Sequence, residues 1–282
     1  MGIQRVLRDV QAQPEVTFFT GSTPVEADGA VTVDIFRGDG TTFATDAATT
    51  DVDPNVGLYR YTLAAQSNLE RFRFVWEGAV STVVQRVTTY VEIVGGYVAS
   101  LTDIKAETGL STKTDAQLIE ARQWFEDIAE SWCGVAFVPR YGRDVLDGSG
   151  SEKLKLSHSH PRTILSAKVD GVAQTGTATW DLYDSGVIIR DSGSFPVGRR
   201  NVEIIYEHGY DAPEAEVREA ALIAIRSKLL SAEGGTSGGI PSGVTQLITD
   251  AGTMIFGRRP TGPFPNQEVN DALAMFRAPM VA

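Results

Sequence analysis

Apolar and polar residues alternate with a period of two through the first third of the chain. Val31, Val33 and Ile35 alternate with Thr32 and Asp34, and Tyr59, Tyr61 and Leu63 alternate with Arg60 and Thr62. Phe72, Phe74 and Trp76 alternate with Arg71 and Arg73. One apolar and one polar face is the pattern of a half-buried antiparallel strand. Residues 15–20 and 80–94 read as further strands, and residues 1–10 as a short strand or arm. Turn residues at Ala27-Asp-Gly29, Gly38-Asp-Gly40 and Asp53-Pro-Asn-Val-Gly57 punctuate the runs. About seven strands in this stretch predict a β-sandwich.

After Gly95-Gly96, a plausible hinge, the period becomes helical. A short amphipathic piece covers residues 101–110, a polar break follows at 111–113, and a long helix is expected over 115–133. Leu118, Ala121, Phe125, Ile128, Ala129 and Trp132 form its apolar stripe. Thr114-Asp-Ala-Gln117 has the capping-box form, and Gly134 supplies the stop. Leu146-Asp-Gly-Ser-Gly150 reads as a tight turn. Short β runs at 154–156, 164–169, 180–183, 186–190 and 201–206, joined by glycine turns, predict a meander. A second helix is expected over 213–232, with Pro213 in its first turn and Glu214, Glu216 and Glu219 at its positive end. Its apolar residues cover more than one face, which predicts burial between neighbours. A Gly-rich loop at 233–243, a strand or hairpin at 244–256 and a Pro-rich stretch ending at Pro265 precede a short helix at 266–277. That helix carries Val269, Leu273 and Phe276 on one face, too little to stand alone in water.

Composition narrows the class. The 282 residues carry a net charge of −11, with no lysine before Lys105. An acidic chain gains nothing by approaching phosphates, so DNA gripping is not expected. No stretch approaches the 18 or so apolar residues of a membrane span, and residues 1–10 lack a secretory apolar core. The single cysteine, Cys133, rules out an intrachain disulfide, and synthesis in the cytosol fits.

Candidate chemistry is sparse. His158-Ser-His160 puts two imidazoles on one side of an extended segment, but nothing completes a metal site, and an exposed loop is the expected reading. Asp191-Ser-Gly-Ser194 faintly echoes a serine nucleophile loop, without a G-x-S-x-G elbow, and His208 reads as a strand end. Asp51–Gly57 begins like a calcium loop but has Val56 and Thr62 where glycine and glutamate are needed. No phosphate-binding glycine motif with its lysine occurs. Arg199-Arg200 and Arg258-Arg259 read as solvated surface, and Cys133 as a small buried residue. We therefore expect no enzyme, no cofactor and no metal.

Two resemblances give these patterns a context. Gly57-Leu-Tyr59 before a strand resembles the tyrosine corner of immunoglobulin-like domains, although the Cys-Trp-Cys framework is missing. From residue 99 to 280 the order of elements resembles the head-to-tail adaptor, or connector, family of long-tailed double-stranded DNA phages. The likeness rests on the long helix ending in Cys133-Gly134, then Phe137, the Asp147-Gly148 turn, Leu154-Lys-Leu156, Ile164 to Gly171, Gly198 to Val202, Gly209-Tyr210 and Pro213. The fold class expected is multidomain. An N-terminal all-β immunoglobulin-like sandwich over 1–97 precedes a C-terminal α+β adaptor domain over 98–282, with a long helix pair and a β-meander. The sandwich and the long 233–243 segment depart from the family's usual pattern.

The resemblance implies a structural virion protein of the neck. Its copies would form a dodecameric ring below the portal protein, meet a tail-side neck or terminator protein, and let the genomic DNA pass unbound. Twelve copies would carry about −130, a field that repels polyanions. The two long helices are expected to pack together and form much of the subunit contact. Residues 265–282, with Phe264, Val269, Leu273, Phe276 and Met280, are expected to dock on the portal. The alternative is a binding module whose sandwich recognises carbohydrate or a host surface through Trp76, Tyr59, Tyr61 and Tyr90.

Overall fold

The computed structural model describes residues 3–53, 56–231, 246–249, 252–255 and 261–277. They are mostly β-sheet with a small helical part. The N-terminal stretch holds β1 (Ile3–Leu7), β2 (Glu15–Thr20), β3 (Thr23–Val25), β4 (Thr32–Phe36), β5 (Thr42–Ala48), β6 (Thr50–Asp53), β7 (Leu58–Arg60), β8 (Glu70–Val80) and β9 (Val83–Val94). Five of them form a sheet in the order β1-β9-β8-β4-β5, with β1 parallel to β9. The other four form a sheet in the order β3-β2-β7-β6. Phe72, Phe74 and Trp76 of β8, Val33 and Ile35 of β4, and Phe18 and Tyr59 of the second sheet meet in one buried core. The alternation sets this directly, because each of those residues is two positions from the next on its strand. Arg71, Arg73 and Glu77 consequently point out of the same strand.

Tyr59 departs from the corner expected of it. Its hydroxyl accepts a hydrogen bond from the Ala27 backbone N–H at 3.0 Å, 32 residues upstream. The bond pins the segment between β3 and β4 rather than closing a local turn. Gly57 beside it has φ +56°, and a Cβ there would meet the Val25 carbonyl oxygen at 1.9 Å. Only glycine fits that approach.

Next come α1 (Leu101–Ala106) and α2 (Asp115–Cys133). Both start in capping boxes, Ser100 with Asp103 and Thr114 with Gln117, so two orphan N–H groups are satisfied at each start. Gly134 closes α2 in the left-handed conformation, φ 71°, and donates its N–H to the Glu130 carbonyl.

The middle stretch forms β10 (Arg140–Gly148), β11 (Lys153–Lys155), β12 (Pro161–Val169), β13 (Val172–Ala173), β14 (Asp181–Leu182), β15 (Val187–Ile189) and β16 (Gly198–His208). It is not one meander. β16 lies between β10 and β12 in a sheet ordered β10-β16-β12-β13, and β11-β15-β14 form another. β16 carries the fully buried Val202, Ile204 and Tyr206 at alternate positions, the pattern of a strand with one face on a core. Asp147-Gly148 is the irregular end of β10, where the register against β16 shifts, rather than a free-standing tight turn.

The last described elements are α3 (Ala215–Ser231), the antiparallel hairpin β17 (Gln246–Thr249) and β18 (Gly252–Ile255), and α4 (Gln267–Ala274). Pro213 precedes α3 instead of opening it. The expected Gly-rich loop, Arg258-Arg259 and Met280 lie outside the described residues.

The chain divides into two compact units. One comprises residues 1–96 with 139–208, the other 97–138 with 209–282. The change of period near Val98 falls beside the first crossing between them. The β region 139–208, expected with the helices in one domain over 98–282, instead groups with residues 1–96. Within that unit Tyr141 of β10 packs against the N-terminal core, at Gly38, and Glu207 of β16 lies 3.6 Å from Arg8.

Candidate functional site

The residues expected to dock on a portal are covered by their own unit. Phe264, Val269 and Leu273 are fully buried in the helical core with Phe125, Ala129 and Cys133. Phe264 sits edge-on to Trp124 at 5.5 Å and against Phe125 at 5.2 Å. Phe276 packs edge-on against Phe137 at 5.7 Å. The apolar face of α4 therefore has its partner surface within the chain and is not free to dock. Asn270, buried beside it, locks the arrangement, accepting from the Phe264 N–H at 3.1 Å and donating to the Phe264 carbonyl at 2.8 Å. Cys133 donates to the Leu273 carbonyl at 3.4 Å, and burial pushes its thiol up to about 11.

The histidines form a structural cluster. His158 stacks on His208 at 4.0 Å between ring centres. Its Nδ1 lies 2.9 Å from the Tyr206 hydroxyl, which donates to Asp144 at 2.9 Å. Burial, helped by the Asp144 charge, holds the Tyr206 phenol far above its ordinary value, so it stays a donor. Burial, with His158 and Arg140 nearby, pushes His208 down to about 3. His158 thus joins His208 rather than His160, whose Nδ1 faces Asp184 at 3.5 Å. The segment is less free than the loop expected there, because Asp144 also accepts from the Ser157 N–H at 2.7 Å. Among the described residues no group of three or more histidine, cysteine, aspartate or glutamate side chains is placed to hold a metal ion. Asp191 to Ser194 form an exposed bend.

The proposed sugar-stacking aromatics are mostly unavailable. Trp76 and Tyr59 are buried, Trp76 with its N–H donated to Thr89, and Tyr61 packs on Phe74. Tyr90 is half-buried, with the Arg71 guanidinium 5.1 Å over its ring.

What the helical unit does leave open is a groove of about 530 Å³ between α1 and α3. Ala106 and Ala215 stand exposed at its rim, with the half-buried Leu222 and Ile223 in its floor. An ion pair of Asp103 and Arg218 at 2.9 Å joins the two helices there, with Glu107 and Glu219 beside it. Below, α2 and α3 share one core. Two buried charges of α2 hold the incoming chain. Glu126 accepts from the Val98 N–H at 3.1 Å, and Arg122 donates to the Ala99 carbonyl at 3.3 Å while lying over the Tyr97 ring. An apolar floor with a charged rim can hold another protein surface.

Comparison with protein-family models finds no match, and no curated protein matches the sequence. Among the described residues, no helix is long and apolar enough to cross a membrane.

Proposed function

We propose that this chain is a structural assembly subunit, a head-to-tail adaptor of a long-tailed double-stranded DNA phage. Copies would close a heterologous ring below the portal protein, meet a neck or terminator protein on the tail side, and pass the genome without binding it. The reading rests on the order of sequence motifs over 99–280, and one structural observation carries it. That observation is the open groove of α1 and α3, an apolar floor inside a charged rim, beside a capped long helix that already has its own core. The two N-terminal sheets around one core are read as an immunoglobulin-like domain added to the adaptor. Because the apolar face of α4 packs on its own unit, contact with a portal falls to surfaces other than Phe264, Val269, Leu273 and the half-buried Phe276. The net charge of −11 per copy suits a conduit that DNA must leave again.

Filling the groove tests the reading. Ala106 and Ala215 are exposed helix residues, and arginine is nearly as good a helix former as alanine. The double variant A106R/A215R should melt like wild type yet lose the ring, read as solution mass by light scattering. A ring of unchanged mass in that variant would rule out the groove as the subunit contact.

A further inference from the structure

The outer face of the five-stranded sheet carries opposite charges at its two ends. At one end four arginines, Arg37, Arg71, Arg73 and Arg143, surround a cleft of about 300 Å³ with Tyr90 and Asp39. Arg37 pairs with Glu70, and Arg143 pairs with Glu203 at 2.9 Å. Arg71 and Arg73 have no ion pair among the described residues. They are held up instead by rings, Arg71 over Tyr90 and Arg73 4.3 Å over Phe36. At the other end, in an adjoining cleft that shares Arg73, stand Asp34, Asp46, Glu77 and Arg86. Glu77 pairs with Arg86 at 2.7 Å, and the Asp34 carboxylate accepts from the Asp46 backbone N–H at 2.8 Å, with the Arg86 charge near it. The positive end thus carries Arg71 and Arg73 without an ion pair among the described residues, and the acidic end carries Asp34, Asp46 and Glu77 against the single Arg86. Arg71, Arg73 and Glu77 project from the same side of β8; six residues of strand set Arg71 and Glu77 roughly 20 Å apart, with Arg73 between them beside Asp34.

We propose that this face is a contact surface for a second copy of the same chain, with Arg71 and Arg73 of one copy meeting Asp34 and Glu77 of the other. A face with one positive and one negative end is complementary to itself when turned end for end. A small anion would need only the arginine end and would leave the matching acidic end without a role. A face about 20 Å across suits a weak, salt-sensitive contact rather than an obligate one. It is separate from the helical groove, so either can fail without the other.

The test is sedimentation velocity of the full chain at low ionic strength, on the A106R/A215R background so that the helical contact does not mask the result. R71E/R73E and D34K/E77K are run alone and as an equimolar mixture beside the parent. The parent should self-associate, and salt should weaken it. Each charge variant alone sets like charges opposite each other and should associate at least about tenfold more weakly. The mixture should recover association, because both pairings are then opposite in sign again. If D34K/E77K melts below the parent, E77K mixed with R71E/R73E repeats the exchange. A parent that stays monomeric, variants that associate as it does, or a folded mixture that stays apart would overturn the proposal. So would inorganic phosphate binding that R71E/R73E abolishes while mass is unchanged, which would make the cleft a small-anion site.

Discussion

His208 couples stability to acidity through a single buried ring. Its folded value is held near 3, while an unfolded histidine titrates near 6.5. Between those values the unfolded chain binds the extra proton, so stability rises with pH through this window and falls as the pH is lowered. From pH 6.5 to pH 5 the loss should be roughly 1.6 kcal/mol. Urea midpoints measured across that range should slope more steeply for wild type than for H208Q, and equal slopes would remove His208 as the cause. Nothing in Tyr-Glu-His-Gly-Tyr announces this role. Glu126, Arg122 and Asn270 were equally hidden, since each polar group is buried only because a distant or adjacent segment supplies its partner. The residues that could be read were those whose reason is local. Thr114 with Gln117, Gly134 and the buried Cys133 stand as the sequence predicts.

At the scale of elements, helices and alternating strands were legible, and strands with reversed polarity were not. β10 has Arg140, Gly142 and Asp144 on its buried side, with Tyr141, Arg143 and Val145 less buried. Its hydrophobic pattern is therefore misleading, and the bonds of Asp144 to Tyr206 and Ser157 explain why that carboxylate is buried. β5, rich in threonine and alanine, was equally silent. The terminal helix was legible as an element but not in its target. Its stripe demanded a partner, and periodicity does not say whose surface that is. Since the partner is the core that α2 and α3 share, L273A should open a cavity there and cost about 2–5 kcal/mol in a urea melt. The same variant should speed reaction of Cys133 with a thiol reagent, because Leu273 lies over it. A stable L273A with an unreactive thiol would place the helix elsewhere.

At the scale of the molecule, the change of period near Val98 located one crossing between units but not the return at Pro139 or the exit after His208. Those depend on β10 pairing with β16, a contact that no local pattern encodes. Among the described residues the buried apolar side chains form three clusters, within 6–93, 98–273 and 154–206 by position. Cores that share no buried residue have little reason to melt as one. Calorimetry should therefore give an unfolding enthalpy larger than the van't Hoff value, and a ratio of one would mean that they unfold together. The seat of α4 on α2 also sets a schedule for synthesis. Cys133 and the Leu273 carbonyl it touches are 140 residues apart. At translation speeds of about 5–20 residues per second, roughly 7–28 s separate the emergence of one from that of the other. For that interval Trp124, Phe125 and Cys133 leave the ribosome without their cover. Until α4 arrives those side chains present the kind of apolar surface that a chaperone holdase takes up, and a message cut short before it would leave that core open.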